Sequence, residues 1–188
     1  MGIFRLSVLA AVVVFIGVSL GAEPKGQRLP ERPEELQDGV LLCGPGTLYL
    51  AARLYGHRAR LRDVTRELHV EQGPTSIGEM CREAERLGLA PISVSLTTER
   101  LRSLRVPCIL RLGEEHSIGH FVLLMGMKDG KFQLFDPQIS SAAKLMEGAR
   151  LEEVWDGVAV LLCGTHDKRR AILKKSEGFR ILFRWAGV

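Results

Sequence analysis

Residues 120–136, HFVLLMGMKDGKFQLFD, have the pattern of a β-hairpin in which two apolar arms flank a turn at Asp129 and Gly130. Other short apolar segments, separated by turn residues, lie on both sides of this hairpin. The predicted strands are Ile92–Leu96, Cys108–Leu112, His120–Met127, Lys131–Phe135 and Gly157–Leu162. The second half of the chain is therefore predicted to form an antiparallel β-sheet.

Upstream of these strands, apolar residues recur with helical spacing at about 44–55, 61–68 and 77–87. The third segment has the clearest start, because Ser76 and Glu79 have the spacing of a capping box. Shorter helical stretches are expected at 98–104 and 145–155. Helices followed by strands predict an α+β fold, with N-terminal helices packed on a C-terminal antiparallel sheet.

The charge of the chain is concentrated at its C-terminus. The 188 residues carry a formal net charge of +4, yet residues 164–188 alone contain seven Lys or Arg and two Asp or Glu. The rest of the chain therefore has a net charge of −1. Such a domain lacks the basic surface that phosphate backbones require, so we predict no nucleic-acid partner.

The N-terminus predicts export. Residues 1–22, MGIFRLSVLAAVVVFIGVSLGA, place Arg5 before an apolar run and end in small residues, as in a signal peptide or an uncleaved signal anchor. Residues 23–36 are a polar linker rich in proline and charge, and 37–163 form the predicted globular domain. We expect an exported protein that is periplasmic, extracellular or anchored to the membrane by its N-terminal segment.

The basic C-terminal tail, residues 164–188, has two interpretations. Its mixture of basic and aromatic residues is typical of a segment that contacts an anionic membrane surface. A final helix or strand that packs its apolar side on the domain would have the same composition.

The four cysteines are Cys43, Cys81, Cys108 and Cys163, and no two of them form a CxxC pair. In an exported domain the last three allow one disulfide. The alternative is that they are small buried side chains. Because their spacing matches no ligand pattern, we predict neither a metal site nor a cofactor.

Cys43 is the candidate nucleophile. It precedes the first predicted helix, where unpaired N–H groups and the helix dipole favour a thiolate. His120 begins one arm of the hairpin and Asp136 follows the other. A cysteine, a histidine that acts as base and a carboxylate that orients the histidine are the requirements of nucleophilic acyl transfer.

The hairpin register decides whether His120 and Asp136 can meet. With a two-residue turn, Asp129-Gly130, Asp136 would lie opposite Leu123 and the two side chains would point to opposite faces of the sheet. With a three-residue turn, Lys128-Asp129-Gly130, Asp136 would lie opposite Val122 and share a face with His120. We therefore predict the three-residue turn.

Two further polar residues are candidates for the same site. Gln37 lies six residues before Cys43, and its amide could stabilise an oxyanion together with the Cys43 backbone N–H. The alternative for Gln37 is an exposed residue in a polar stretch. His116 is a candidate substitute base, and its alternative is a solvated loop residue.

These residues resemble a known family, the bacteriocin-processing peptidases that remove double-glycine leaders. The motifs that carry the resemblance are Gln37, Cys43-Gly44-Pro45, Ser76-Ile77-Gly78-Glu79, Pro107-Cys108-Ile109-Leu110, His120-Phe121-Val122-Leu123-Leu124, Asp136-Pro137 and Trp155-Asp156-Gly157. They cover about residues 35 to 163. The family commonly has Asp where this chain has Leu42, a difference that removes no reactive group.

The resemblance implies a papain-like cysteine peptidase. Cys43 would be the nucleophile, His120 the general base and acid, Asp136 the orienting group and Gln37 the oxyanion donor. These peptidases are usually fused to ABC exporters, whereas the sequence contains no GxxxxGK[ST] nucleotide-binding motif. We therefore expect a peptide or protein substrate and a separate ABC exporter or secretion system as partner.

Two other functions are alternatives for a chain with these residues. A non-catalytic module of this fold would hold an extended peptide in its groove, and it would need no Cys/His/Asp set. Amidase or transpeptidase chemistry would use the same thiol and transfer the acyl group to another acceptor.

Overall fold

A computed structural model defines the fold for part of the chain. The residues it describes are 42–70, 73–113, 119–138, 142–174 and 180–182. The predicted signal segment 1–22, the linker 23–36, Gln37 and His116 lie outside the described residues.

The predicted helices are confirmed, with small shifts at their ends. The described helices are α1 (Cys43–Leu54), α2 (Leu61–Glu67), α3 (Ile77–Arg86), α4 (Thr98–Ser103), α5 (Gly148–Val154) and α6 (His166–Lys174). At the start of α3, the Ser76 hydroxyl accepts from the Glu79 N–H at 3.2 Å, and the Glu79 carboxylate accepts from the Ser76 N–H at 2.7 Å. The predicted capping box is therefore present.

The antiparallel sheet is also confirmed. The described strands are β1 (Ala90–Ser95), β2 (Cys108–Leu112), β3 (His120–Lys128), β4 (Lys131–Phe135), β5 (Lys144–Met146), β6 (Trp155–Cys163) and β7 (Arg180–Ile181). Their order across the sheet is β5-β4-β3-β2-β6-β1-β7. The stretch 145–155, predicted as helical, contains part of β5 before α5 begins.

Both faces of the sheet are covered. Leu123 and Leu124 are adjacent in β3, and they belong to hydrophobic clusters on opposite faces. The first face packs on α1, α2 and α3, and the second on α4 and α5, with α6 at its margin. Since the central strands of the sheet are buried on both sides, side chains at their ends are the ones that can reach solvent.

The predicted three-residue turn is wrong. Lys128 pairs with Lys131, so the turn contains only Asp129 and Gly130. Both have positive φ angles, +50° and +75°. A two-residue turn of this conformation matches the twist of the strands, and aspartate tolerates the left-handed region.

A β-bulge nevertheless places His120 and Asp136 on the same face of the sheet. The register shifts between Leu124 and Gly126, so that Leu123 lies opposite Phe135 beyond the bulge. If this pairing is continued by one residue past Leu123 and Phe135, Asp136 lies opposite Val122. His120 and Asp136 therefore share a face by means of a bulge that the sequence analysis did not anticipate.

The tail packs on the domain within its described residues. Ile172 and Leu173 of α6 lie against the core, and Arg169 forms an ion pair with Glu85 of α3 at 2.9 Å. β7 adds to the sheet edge by pairing with β1. None of the helices in the described ranges is long and apolar enough to span a bilayer.

The cysteines outside the candidate site form no disulfide. Cys81, Cys108 and Cys163 are free and buried, in agreement with the alternative of small buried side chains. Burial raises the pKa of Cys81 to about 12 and, opposed by the nearby Lys168 and Arg169, raises that of Cys163 to about 12. These thiols are therefore unreactive at neutral pH.

The bulge glycine is expected to be essential for the hairpin. Gly126 has a φ of +148°, a region that only glycine occupies readily. Gly126→Ala should therefore lower the free energy of unfolding by about 1–3 kcal/mol, measured by urea denaturation. The control Gly130→Asn should change it by less than about 0.5 kcal/mol, because asparagine tolerates the left-handed turn position. Equal effects of the two variants would contradict the role of the bulge.

Candidate active site

Cys43 is the first residue of α1. The N-cap residue Leu42 provides no side-chain cap, but the Gly46 N–H donates to the Leu42 carbonyl at 2.7 Å and closes the first turn. Pro45 fits in this turn because a first-turn N–H has no partner within the helix. The thiol of Cys43 is therefore held at the positive end of the helix dipole, where a thiolate is stabilised.

His120 and Asp136 meet at the end of the sheet. His120 opens β3, and its Nε2–H donates to Oδ2 of Asp136 at 2.7 Å. The other carboxylate oxygen, Oδ1, accepts the backbone N–H of Gln138 at 2.9 Å. With both oxygens engaged, the carboxylate is fixed in orientation and in turn fixes the imidazole ring.

The thiol of Cys43 faces the same imidazole. Burial alone would raise the pKa of Cys43. Hydrogen bonds from His120 and from the Phe121 backbone N–H, together with the positive charge of His120, outweigh burial and lower this pKa below 9.0. Because Nε2 is engaged by Asp136, Nδ1 is the ring nitrogen left for the thiol.

The pKa of His120 shifts in the opposite direction, upwards. The hydrogen bond to Asp136 and then the hydrogen bond to Cys43 raise the pKa of His120 from 6.5 to about 9. A lowered thiol pKa beside a raised imidazole pKa favours a thiolate–imidazolium pair at neutral pH. Such a pair supplies a nucleophile and an adjacent proton donor.

An open cleft of about 220 Å³ gives access to this pair. Its lining residues are Cys43, Pro74, Thr75, Gly119, His120, Phe121 and Gln138. Next to Cys43, the buried Gly44 packs closely on the loop that contains Thr75, since a Cβ added at Gly44 would lie 3.2 Å from Oγ1 of Thr75.

The structure thus brings together three of the four residues chosen from the sequence, namely Cys43, His120 and Asp136. The fourth, Gln37, lies outside the described residues, as does His116. Within the described part of the chain, no three His, Cys, Asp or Glu side chains are grouped as metal ligands would be.

Thr75 and Gln138 line the cleft and were missed by the sequence analysis. Both lie in loops, where no periodicity marks a residue as facing a site. The one available signal was the position of Gln138 directly after Asp136-Pro137, because the residue two positions after an aspartate commonly donates its N–H to that side chain.

The sequence of this chain is similar to a known protein family and to longer proteins that contain a similar segment. The model of the Peptidase C39 family matches residues 35–167. The colicin V secretion/processing ATP-binding protein CvaB of Escherichia coli is 26% identical over 118 residues, which are 63% of this chain and 16% of that protein. The probable microcin-H47 secretion/processing ATP-binding protein MchF of Escherichia coli is 27% identical over 95 residues, which are 50% of this chain and 13% of that protein. The chain therefore spans less than a fifth of the length of these relatives.

Solved structures share the fold. A double glycine motif protease from an AMS/PCAT transporter, determined in complex with its leader peptide, matches with a TM-score of 0.60 and 19% identity over 73% of this chain and 91% of that chain. The peptidase domain of Streptococcus ComA matches with a TM-score of 0.58 and 22% identity over 65% of this chain and 91% of that chain. The predicted papain-like α+β fold is confirmed.

The paired pKa shifts predict selective alkylation of Cys43. In the wild type, iodoacetamide should label Cys43 at pH 7 much faster than the three buried cysteines, because a lowered pKa keeps the thiolate populated below pH 9.0. His120→Ala should slow this labelling markedly at pH 7, since the thiol loses the hydrogen bond and the positive charge that lower its pKa. Site-resolved mass spectrometry from pH 4 to 9 measures both. A labelling midpoint at the ordinary thiol pKa that does not respond to His120→Ala would contradict the pairing.

Proposed function

The chain belongs to the Peptidase C39 family and is therefore a cysteine peptidase, and we propose that Cys43, His120 and Asp136 carry its catalysis. The observation that supports these roles is the hydrogen bond between His120 and Asp136, which lies with the Cys43 thiol at one cleft. No other described cysteine has a lowered pKa.

In the proposed mechanism, the Cys43 thiolate attacks the scissile carbonyl carbon and forms a tetrahedral intermediate. The imidazolium of His120 donates its proton to the leaving amine, and a thioester between Cys43 and the acyl part of the substrate remains. His120 then removes a proton from water, which hydrolyses the thioester and regenerates the thiol. Asp136 orients the ring and stabilises its charged form throughout.

We further propose that backbone N–H groups at the start of α1 and the side chain of Gln37 stabilise the oxyanion. The helix terminus supports this proposal, because its first N–H groups have no acceptor within the helix. The role of Gln37 rests on its spacing from Cys43 and on the family resemblance.

As substrate we propose a leader peptide with small residues before the scissile bond. The small volume of the cleft, about 220 Å³, supports this choice, since Pro74, Thr75 and Phe121 line it together with the thiol. The similar protease in complex with its leader peptide supports a leader peptide as ligand. The similarity to secretion/processing ATP-binding proteins supports an exporter or secretion system as partner.

For the location we propose export, supported by the apolar residues 6–20 behind Arg5. N-terminal sequencing of the protein recovered from membrane and soluble extracytoplasmic fractions tests this. A new N-terminus after Gly21 or Ala22 would indicate a cleaved signal. Recovery of the intact chain from the cytoplasm would contradict export.

Substitution of the nucleophile tests the proposed catalysis. An internally quenched peptide with Gly-Gly before its central bond serves as substrate, and kcat/KM is measured. Cys43→Ala should reduce kcat/KM by about 10³-fold or more, because the covalent intermediate can no longer form. The matched control Cys81→Ala removes a buried thiol of α3 and should retain activity.

Turnover that survives Cys43→Ala would contradict the proposed nucleophile. Binding of the peptide without thiol-dependent turnover in the wild type would instead indicate a non-catalytic binding module. Transfer of the acyl group to an added amine, in preference to water, would indicate transpeptidase chemistry.

A further inference from the structure

We propose that Gln138 is a substrate-positioning residue whose side-chain amide binds the main chain of the peptide in the cleft. This inference rests on the proposed function, and it adds a group that recognises the substrate without taking part in bond making or breaking.

The backbone of Gln138 is held close to the reacting groups. Its N–H donates to Oδ1 of Asp136 at 2.9 Å, and Oδ2 of the same carboxylate bonds Nε2 of His120 at 2.7 Å. Two hydrogen bonds therefore connect the Gln138 backbone to the imidazole. Gln138 is half-buried and lines the cleft together with Cys43 and His120.

The other residues that line the cleft offer few side-chain groups that could form hydrogen bonds with a peptide backbone. Apart from the Cys43–His120 pair, the lining contributes apolar or side-chain-free surface from Pro74, Gly119 and Phe121, and a hydroxyl from Thr75 that faces Gly44. Among the described lining residues, Gln138 supplies the one side chain that carries both N–H donors and a carbonyl acceptor. An extended peptide presents the complementary carbonyl and N–H groups along its backbone.

An uncharged amide also leaves the thiolate–imidazolium pair undisturbed. A carboxylate at this position would repel the thiolate, and a cation would compete with His120 for the Asp136 carboxylate. Glutamine binds the peptide backbone without either effect, and it does so independently of the side chains of the substrate.

The two parts of Gln138 have separable roles. Its backbone N–H holds Asp136, and any substitution other than proline keeps that N–H. Its side chain alone is proposed to contact the peptide. Side-chain variants should therefore weaken substrate binding while the pH dependence of Cys43 alkylation stays unchanged. A residue that merely supported the fold of the site would alter the alkylation profile as well.

The test compares Gln138→Ala, Gln138→Met and Gln133→Ala with the wild type, using the internally quenched Gly-Gly peptide. Gln138→Met preserves length and bulk but removes the hydrogen-bonding groups. Gln133→Ala removes the same side chain from β4, away from the cleft lining. KM and kcat are measured, together with alkylation of Cys43 from pH 4 to 9.

We expect KM to rise about three- to tenfold in Gln138→Ala and in Gln138→Met, the change that loss of one neutral hydrogen bond produces. The alkylation profiles of both variants should match the wild type, and Gln133→Ala should match it in every measurement. Protection of Cys43 from alkylation by the peptide should require a correspondingly higher peptide concentration in the two Gln138 variants.

Three outcomes would overturn the inference. An unchanged KM in Gln138→Ala would show that the side chain does not bind the substrate. Wild-type behaviour of Gln138→Met would show that bulk alone matters. A shifted alkylation profile would show that the side chain supports the catalytic pair. In each case the wild type still cleaves the peptide, whereas a wild type that neither cleaves nor is protected by the peptide would overturn the proposed function as well.

Discussion

The hydrogen bond between His120 and Asp136 is the constraint on which the arrangement of the site depends. It requires two strands of one hairpin to present their ends on the same face, although the two-residue turn at Asp129 and Gly130 would by itself place the two side chains on opposite faces. The bulge that ends at Gly126 adds one residue to β3 and corrects the register. The orientation of the imidazole is therefore set by a backbone irregularity about six residues away along the strand.

The Cys43 thiol depends on the same hydrogen bond through His120. A half-buried thiol at the edge of an apolar core would ordinarily have a raised pKa, as the fully enclosed thiols of Cys81 and Cys163 do. What distinguishes Cys43 is the imidazole opposite it, whose own pKa is raised mainly by Asp136. The carboxylate stabilises the imidazolium, and the imidazolium stabilises the thiolate. The same fold thus contains thiols with lowered and with raised pKa values, which differ in their partners.

The rest of the fold holds the start of α1, the start of β3 and the end of β4 in place. The sheet is buried on both faces, so its strands cannot tilt without disrupting two apolar clusters. Helix α1 belongs to one of these clusters through Leu48 and Leu50, and this packing places its N-terminus beside the start of β3. At the opposite edge, β7 and α6 extend the domain beyond the segment matched by the family model, with Arg169 and Glu85 joining the tail to α3.

Much of this protein could be predicted from the sequence, because the patterns involved are local. Apolar periodicity predicted the helices α1 to α5 and the strands β1 to β4 and β6, but not the short strands β5 and β7. The capping box at Ser76 marked the start of α3. Cys43 could be selected because the position of a residue at a helix start is itself a local property. His120 and Asp136 could be selected because each lies at an end of a predicted strand.

Only the tertiary structure decided how these residues meet. The turn length was predicted incorrectly, since Asp129 adopts a left-handed conformation that composition does not reveal. The bulge at Gly126 depends on how β3 pairs with β4, and Gln138 reaches the cleft through a turn stabilised by Asp136. Register and loop geometry are set by contacts between distant segments, whereas helix and strand identity is set by neighbours along the chain. For this reason the sequence by itself determined most of the elements and the candidate residues Cys43, His120 and Asp136, and the tertiary structure determined their geometry.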